Sequence, residues 1–134
     1  MSGERSVVMI VDDDESMRRA ARRLIKSFGL PVQTFASADD FLASGRIGAT
    51  ACLVLDVHMP GLSGLELQGH LNASKHYIPI IFLTAFADES ARSQALAAGA
   101  FRYLVKPFEE DDLLNGIRLA LQQQDPTERG GPPP

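Results

Sequence analysis

Four short apolar runs in the chain end on side chains that can do chemistry: Asp12-Asp13-Asp14, Asp56, Thr84 and Lys106. Two carboxylates about 4 Å apart repel by roughly 4 kcal/mol at an effective dielectric of about 20, so three brought to one place need a counter-ion. Lys106 supplies one positive charge. A divalent, oxygen-loving cation would supply the rest, and Mg2+ suits a site of few carboxylates completed by waters and phosphate oxygens. Opposite such acids, the Thr84 hydroxyl and the Lys106 ammonium become ligands for a phosphoryl group. Taken singly, each has a plainer reading. Acids ahead of a helix cap its amides, and Asp14 in particular reads as a cap. Asp56 alone would open a turn with Pro60 and Gly61, Thr84 would satisfy a nearby amide, and Lys106 would be a solvated charge. Convergence decides between these readings, so the elements carrying the residues matter.

The apolar runs alternate with amphipathic stretches. Val7 to Val11, Cys52 to Leu55, Pro79 to Leu83 and Phe101 to Val105 read as buried strands, with Val32 to Phe35 a weaker one. Between them, Met17, Ala20, Ala21, Leu24, Ile25 and Phe28 recur at helical spacing, with Arg18, Arg19, Arg22, Arg23 and Lys26 on the other face. Gly29 and Pro31 end that helix. Ser37 caps a short helix over Ala38 to Ala43, Leu65 to Ala73 is helical, and Asp88 and Glu89 favour the start of a helix that runs to Ala98 before Gly99. Leu113, Leu114, Ile117, Ala120 and Leu121 give a last amphipathic helix. This (βα)5 pattern calls for an α/β doubly wound sandwich, a parallel sheet covered on both faces by right-handed crossovers. In such a sheet, ligands gather beyond the carboxyl ends of the strands, and all four chemical positions fall there.

At 134 residues and 45% hydrophobic, the chain holds about one domain with its own core. Thirteen basic against seventeen acidic residues leave a net charge of -4, with no broad basic field for a nucleic-acid backbone. The single cysteine, Cys52, excludes an internal disulfide, and no Cys/His spacing matches a zinc site. No signal-peptide pattern and no apolar run of membrane-spanning length is present, so a cytoplasmic, membrane-free location is expected. From Gln122 to Pro134 there is no hydrophobic residue but two glycines and four prolines. The reading is a domain over 1–123 and a flexible tail or linker over 124–134.

With these residues in place, the chain resembles the receiver domain of bacterial two-component response regulators, from Val7 to about Gln123. The resemblance rests on Val11-Asp12-Asp13-Asp14, Leu55-Asp56-Val57-His58-Met59-Pro60-Gly61, Leu83-Thr84-Ala85 and Lys106-Pro107-Phe108, in order and suitably spaced. It implies a flavodoxin-like fold with five parallel strands in the order 2-1-3-4-5. It implies Mg2+-dependent transfer of a phosphoryl group to Asp56 from a phosphohistidine on a sensor histidine kinase or phosphotransfer protein, or from a small donor such as acetyl phosphate. The metal ligands would be Asp12, largely through water, Asp13, Asp56 and the backbone carbonyl of His58. Thr84 and Lys106 would hold phosphoryl oxygens beside the small Ala85, Lys106 having first paired with Asp56. Lys106-Pro107 would be a cis peptide. Tyr103 matches the aromatic switch position, and the switching face would comprise the fourth helix, fifth strand and fifth helix. His58 and Phe86 sit where the family tunes loss of the phosphoryl group to water, and Phe86 is expected to shield it. The chain would be a signalling domain, not an enzyme with a free substrate. The resemblance allows a phosphorylation-dependent homodimer, and leaves open a stand-alone receiver or one serving a DNA-binding output domain.

Two other classes of protein fit these residues less well. A haloacid-dehalogenase-like phosphatase also phosphorylates a strand-end aspartate but needs a second aspartate two residues later, where this chain has His58. A flavin or dinucleotide carrier would need a glycine-rich phosphate loop after the first strand, and acids stand there instead.

Overall fold

The computed structural model describes residues 6–123. The tail expected over 124–134 lies outside them. Five strands, β1 (Val7–Val11), β2 (Val32–Phe35), β3 (Thr50–Asp56), β4 (Ile80–Thr84) and β5 (Arg102–Val105), alternate with five helices. These are α1 (Glu15–Ser27), α2 (Ala38–Ala43), α3 (Gly64–Ala73), α4 (Glu89–Ala97) and α5 (Glu110–Gln122), with a single 3-10 turn, Ile47–Ala49, ahead of β3. All strands are parallel, in the order β2-β1-β3-β4-β5. The flavodoxin-like architecture expected from the sequence is the one observed.

Strand side chains alternate between faces, so each central strand feeds two cores. Val7, Met9 and Val11 of β1, Leu53 and Leu55 of β3 and Phe82 of β4 pack with Phe41, Leu67, Leu71 and Ala95 from α2, α3 and α4. Val8, Ile10, Cys52, Val54, Ile81 and Leu83 point the other way, onto Ala21 and Ile25 of α1 and Leu113, Ile117 and Ala120 of α5. Hence the runs look continuously apolar in sequence. Cys52 is fully buried in the second core, and burial pushes its thiol up to about 12.

Strand ends differ from the expectation by one or two residues. β3 begins at Thr50 rather than Cys52, because the buried Thr50 hydroxyl donates to the Arg46 carbonyl at 2.9 Å and so enters the sheet satisfied. β4 begins at Ile80, since Pro79 has no N–H for the ladder, although its carbonyl still accepts from the Leu53 amide at 2.9 Å. Gly29 and Gly99 end α1 and α4 with φ of +80° and +103°, conformations an L side chain resists. Among the described residues, no helix is long and apolar enough to cross a membrane.

Candidate functional site

Strand register assembles the site. Val11 pairs with Leu55, so Asp12 and Asp56, each one residue further on, leave the sheet side by side. Asp56 pairs with Leu83, which places Thr84 one step beyond it, and Thr84 pairs with Val105, which places Lys106 one step beyond that. The backbone reinforces this order, with the Lys106 amide donating to the Thr84 carbonyl at 2.8 Å. The Lys106-Pro107 peptide is cis, as the resemblance implied.

Asp12 is almost fully buried, at 2% exposure, Asp56 is half-buried and Asp13 is exposed. One carboxylate oxygen from each lies within 4.8 Å of the other two. Octahedral oxygen ligands at about 2.1 Å from Mg2+ stand roughly 3 to 4.2 Å from one another, so this all-carboxylate donor set fits such a cation in chemistry. Burial raises the proton affinity of both inner acids. Asp56 is pushed up to about 7, first by burial and then by the Asp12 carboxylate, against the opposing effects of the His58 amide and Lys106. Asp12 is raised as well, by burial, although the Asp14 amide and Lys106 favour its charged form. Two buried carboxylates with raised affinity make up a site short of positive charge.

Local hydrogen bonds hold these side chains in place. Asp12 Oδ1 accepts from the Asp14 amide at 2.9 Å, and Asp56 Oδ1 from the His58 amide at 3.2 Å. Thr84 Oγ1 accepts from the Phe86 amide at 3.2 Å, the plain strand-end role, and its hydroxyl proton remains to be donated. Asp14 is the N-cap of α1, accepting from the amides of Ser16 and Met17, and takes no part in the acidic trio. Lys106 acts on Asp12 and Asp56 through its charge. The expected Lys106–Asp56 ion pair is not formed, for among the described residues only Arg19–Glu15 and Arg92–Glu89 approach within 4.0 Å.

Tyr103 packs at a tilt on Phe82, ring centroids 5.9 Å apart, and its buried hydroxyl has no hydrogen-bond partner among the described residues. Burial, and then the negative charges of Asp88 and Asp56, raise that hydroxyl's proton affinity. Ala85 is exposed, next to the fully buried Thr84.

Three features of the site were not legible in the sequence. The exposed His58 and Phe86 rings meet edge to face, centroids 5.2 Å apart, spanning the ends of β3 and β4. Arg18, counted only with a basic outer face, donates to the Asp12 carbonyl at 2.8 Å. Gly64, at the start of α3, packs so closely that a Cβ there would collide with the Asp56 carbonyl oxygen. An unpartnered glycine at a helix start was the one available signal, and it does not name the strand it touches.

With the geometry in place, the comparisons with known proteins agree. The model of the response regulator receiver domain matches residues 8–118, and the chain belongs to that family. The response regulator protein TodT of Pseudomonas putida is 43% identical over 122 residues, which cover 91% of this chain and 54% of TodT. The transcriptional regulatory protein FixJ of Azorhizobium caulinodans is 37% identical over 114 residues, 85% of this chain and 54% of FixJ. Among solved structures, the response regulator StyR superposes with a TM-score of 0.84 at 44% identity, covering 92% of this chain and 63% of StyR. The FixJ-N structure gives 0.79 at 34% identity, covering 87% and 94%. The chain thus spans about half the length of the relatives TodT and FixJ.

Proposed function

We propose that this receiver takes a phosphoryl group on Asp56 from a histidine kinase or phosphotransfer protein and thereby changes a protein-binding face around Tyr103. The observation that carries the reading is the acidic trio Asp12, Asp13 and Asp56 at the same sheet edge as Thr84 and Lys106. Asp12, Asp13, Asp56 and the His58 backbone carbonyl would hold Mg2+. When bound, it would supply the missing positive charge and neutralise phosphoryl oxygens.

A carboxylate oxygen of Asp56 attacks phosphorus in line as the P–N bond to the donor imidazole breaks and its electron pair returns to the ring. With acetyl phosphate the bond broken is P–O and acetate leaves. Lys106 binds one phosphoryl oxygen through its ammonium, and the Thr84 hydroxyl turns to donate to another. Thr84 then leaves its place, and Tyr103, whose buried hydroxyl lacks a partner, settles against the altered wall. That repacking biases the face formed by α4, β5 and α5. FixJ is named a transcriptional regulatory protein. By that likeness, the face here would act on a gene-regulatory output, in a second domain or a partner.

Incubation with acetyl phosphate and Mg2+, followed by intact-mass measurement, is expected to show a gain of one phosphoryl group. The gain should vanish in Asp56→Asn and in the presence of a chelator. An unmodified wild type, equal labelling of Asp56→Asn, or steady turnover of free phosphoesters would overturn the reading.

A further inference from the structure

Five of the chain's thirteen basic residues, Arg18, Arg19, Arg22, Arg23 and Lys26, fall on α1, with Glu15 the acid of its first turn. Cations three and four residues apart, such as Arg19 with Arg22 and Arg23, repel and weaken a helix. The helix dipole does not offset this, since Arg18 and Arg19 lie in the N-terminal half, where cations are disfavoured. Arg19 pairs with Glu15 at 2.6 Å and Arg18 with the Asp12 carbonyl. Among the described residues, Arg22, Arg23 and Lys26 form no ion pair. Their counterpart is on the same molecule. Glu109, Glu110, Asp111 and Asp112 are four consecutive exposed acids at the start of α5, and none of them is in an ion pair within the described residues. Both helices lie on the same side of the sheet, sharing one core. Exposed apolar side chains accompany each. Leu119 lies on the stripe of α5 that carries Asp112, seven residues earlier, and Phe28 follows α1.

We infer that α1 and the start of α5 form an interface between two copies of this chain, the basic stripe of each lying on the acidic stretch of the other. A two-fold axis makes every such contact twice, so two complementary patches in one helix layer close on themselves. This favours a second copy over an unrelated acidic protein. Neither stripe includes a carboxylate of the acidic trio, so the unphosphorylated chain already carries both halves of the interface. Exposed ion pairs are individually weak and salt-screened, which makes the dimer a salt-sensitive one.

Sedimentation velocity with no phosphodonor present provides the test, at about 50 mM and about 0.5 M salt. The wild type should dimerise at low salt, with Kd at least about tenfold weaker at high salt. Arg22→Glu/Arg23→Glu and Glu110→Lys/Asp111→Lys change only exposed residues and should each be folded by circular dichroism and monomeric. Mixed in equal amounts, they should form a one-to-one heterodimer, because the reversed α1 of one then faces the reversed α5 of the other. A monomeric wild type at low salt, dimers that survive either reversal, or a mixture that stays monomeric would overturn the inference.

Discussion

Asp56 binds its proton more tightly in the folded chain, where its pKa is pushed up to about 7, than in the unfolded chain, where it is near 3.8. Between those values the native state carries the extra proton, so its stability falls as pH rises, the reverse of an aspartate held in an ion pair. Asp12 is shifted in the same direction. The metal-free protein should therefore lose thermal stability between about pH 5 and 7, and Asp56→Asn should flatten that slope. Mg2+ should raise the midpoint more at about pH 7.5 than at about pH 5, because only the ionised pocket binds it well. Scanning calorimetry across this range checks both, and a Mg2+ effect independent of pH would count against the acidic trio as its site. Phe86 stands beside the same pocket, edge to face with His58. Phe86→Ala should speed hydrolysis of the aspartyl phosphate roughly 3- to 10-fold, equivalent to about 1 kcal/mol of barrier. An unchanged decay rate, followed by loss of the phosphorylated mass, would mean the ring does not shield.

At the scale of elements, the loop leaving β1 gives three consecutive aspartates different places, Asp14 capping α1 and Asp12 and Asp13 joining the acidic trio. Asp14→Ala removes the acceptor for two α1 amides and should cost about 1 kcal/mol in urea unfolding while leaving Mg2+ affinity intact. Asp13→Ala should do the opposite, with little loss of stability and a large loss of Mg2+ binding in a titration. The capping role of Asp14 was readable in advance because capping is local, fixed by which amide lies two or three residues on. The strands were readable for a similar reason, since four short apolar runs ending in polar residues, with a weaker fifth, leave few alternatives to a buried parallel sheet. Thr50 escaped notice because its hydroxyl is satisfied by Arg46, a partner no apolar pattern reveals. Gly64, Arg18 and the His58–Phe86 pair were hidden because each depends on which loops the crossovers bring together, and spacing along the chain does not encode that.

Over the whole molecule, a single sheet separates two cores of different duty. One side, with α2, α3 and α4, packs Tyr103 near the acidic edge, while the other, with α1 and α5, encloses Cys52. That enclosure makes the lone thiol a clock. Buried at the sheet's centre and held protonated well above neutral pH, it can meet an alkylating reagent only after the sheet opens as a whole. With one sulfhydryl in the chain, each labelled molecule records one opening event. At high reagent concentration the labelling rate should level off at the unfolding rate, and at low concentration it should follow the population of open molecules. Ions or phosphoryl groups that stabilise the far edge of the sheet should slow the clock without touching the sulfur.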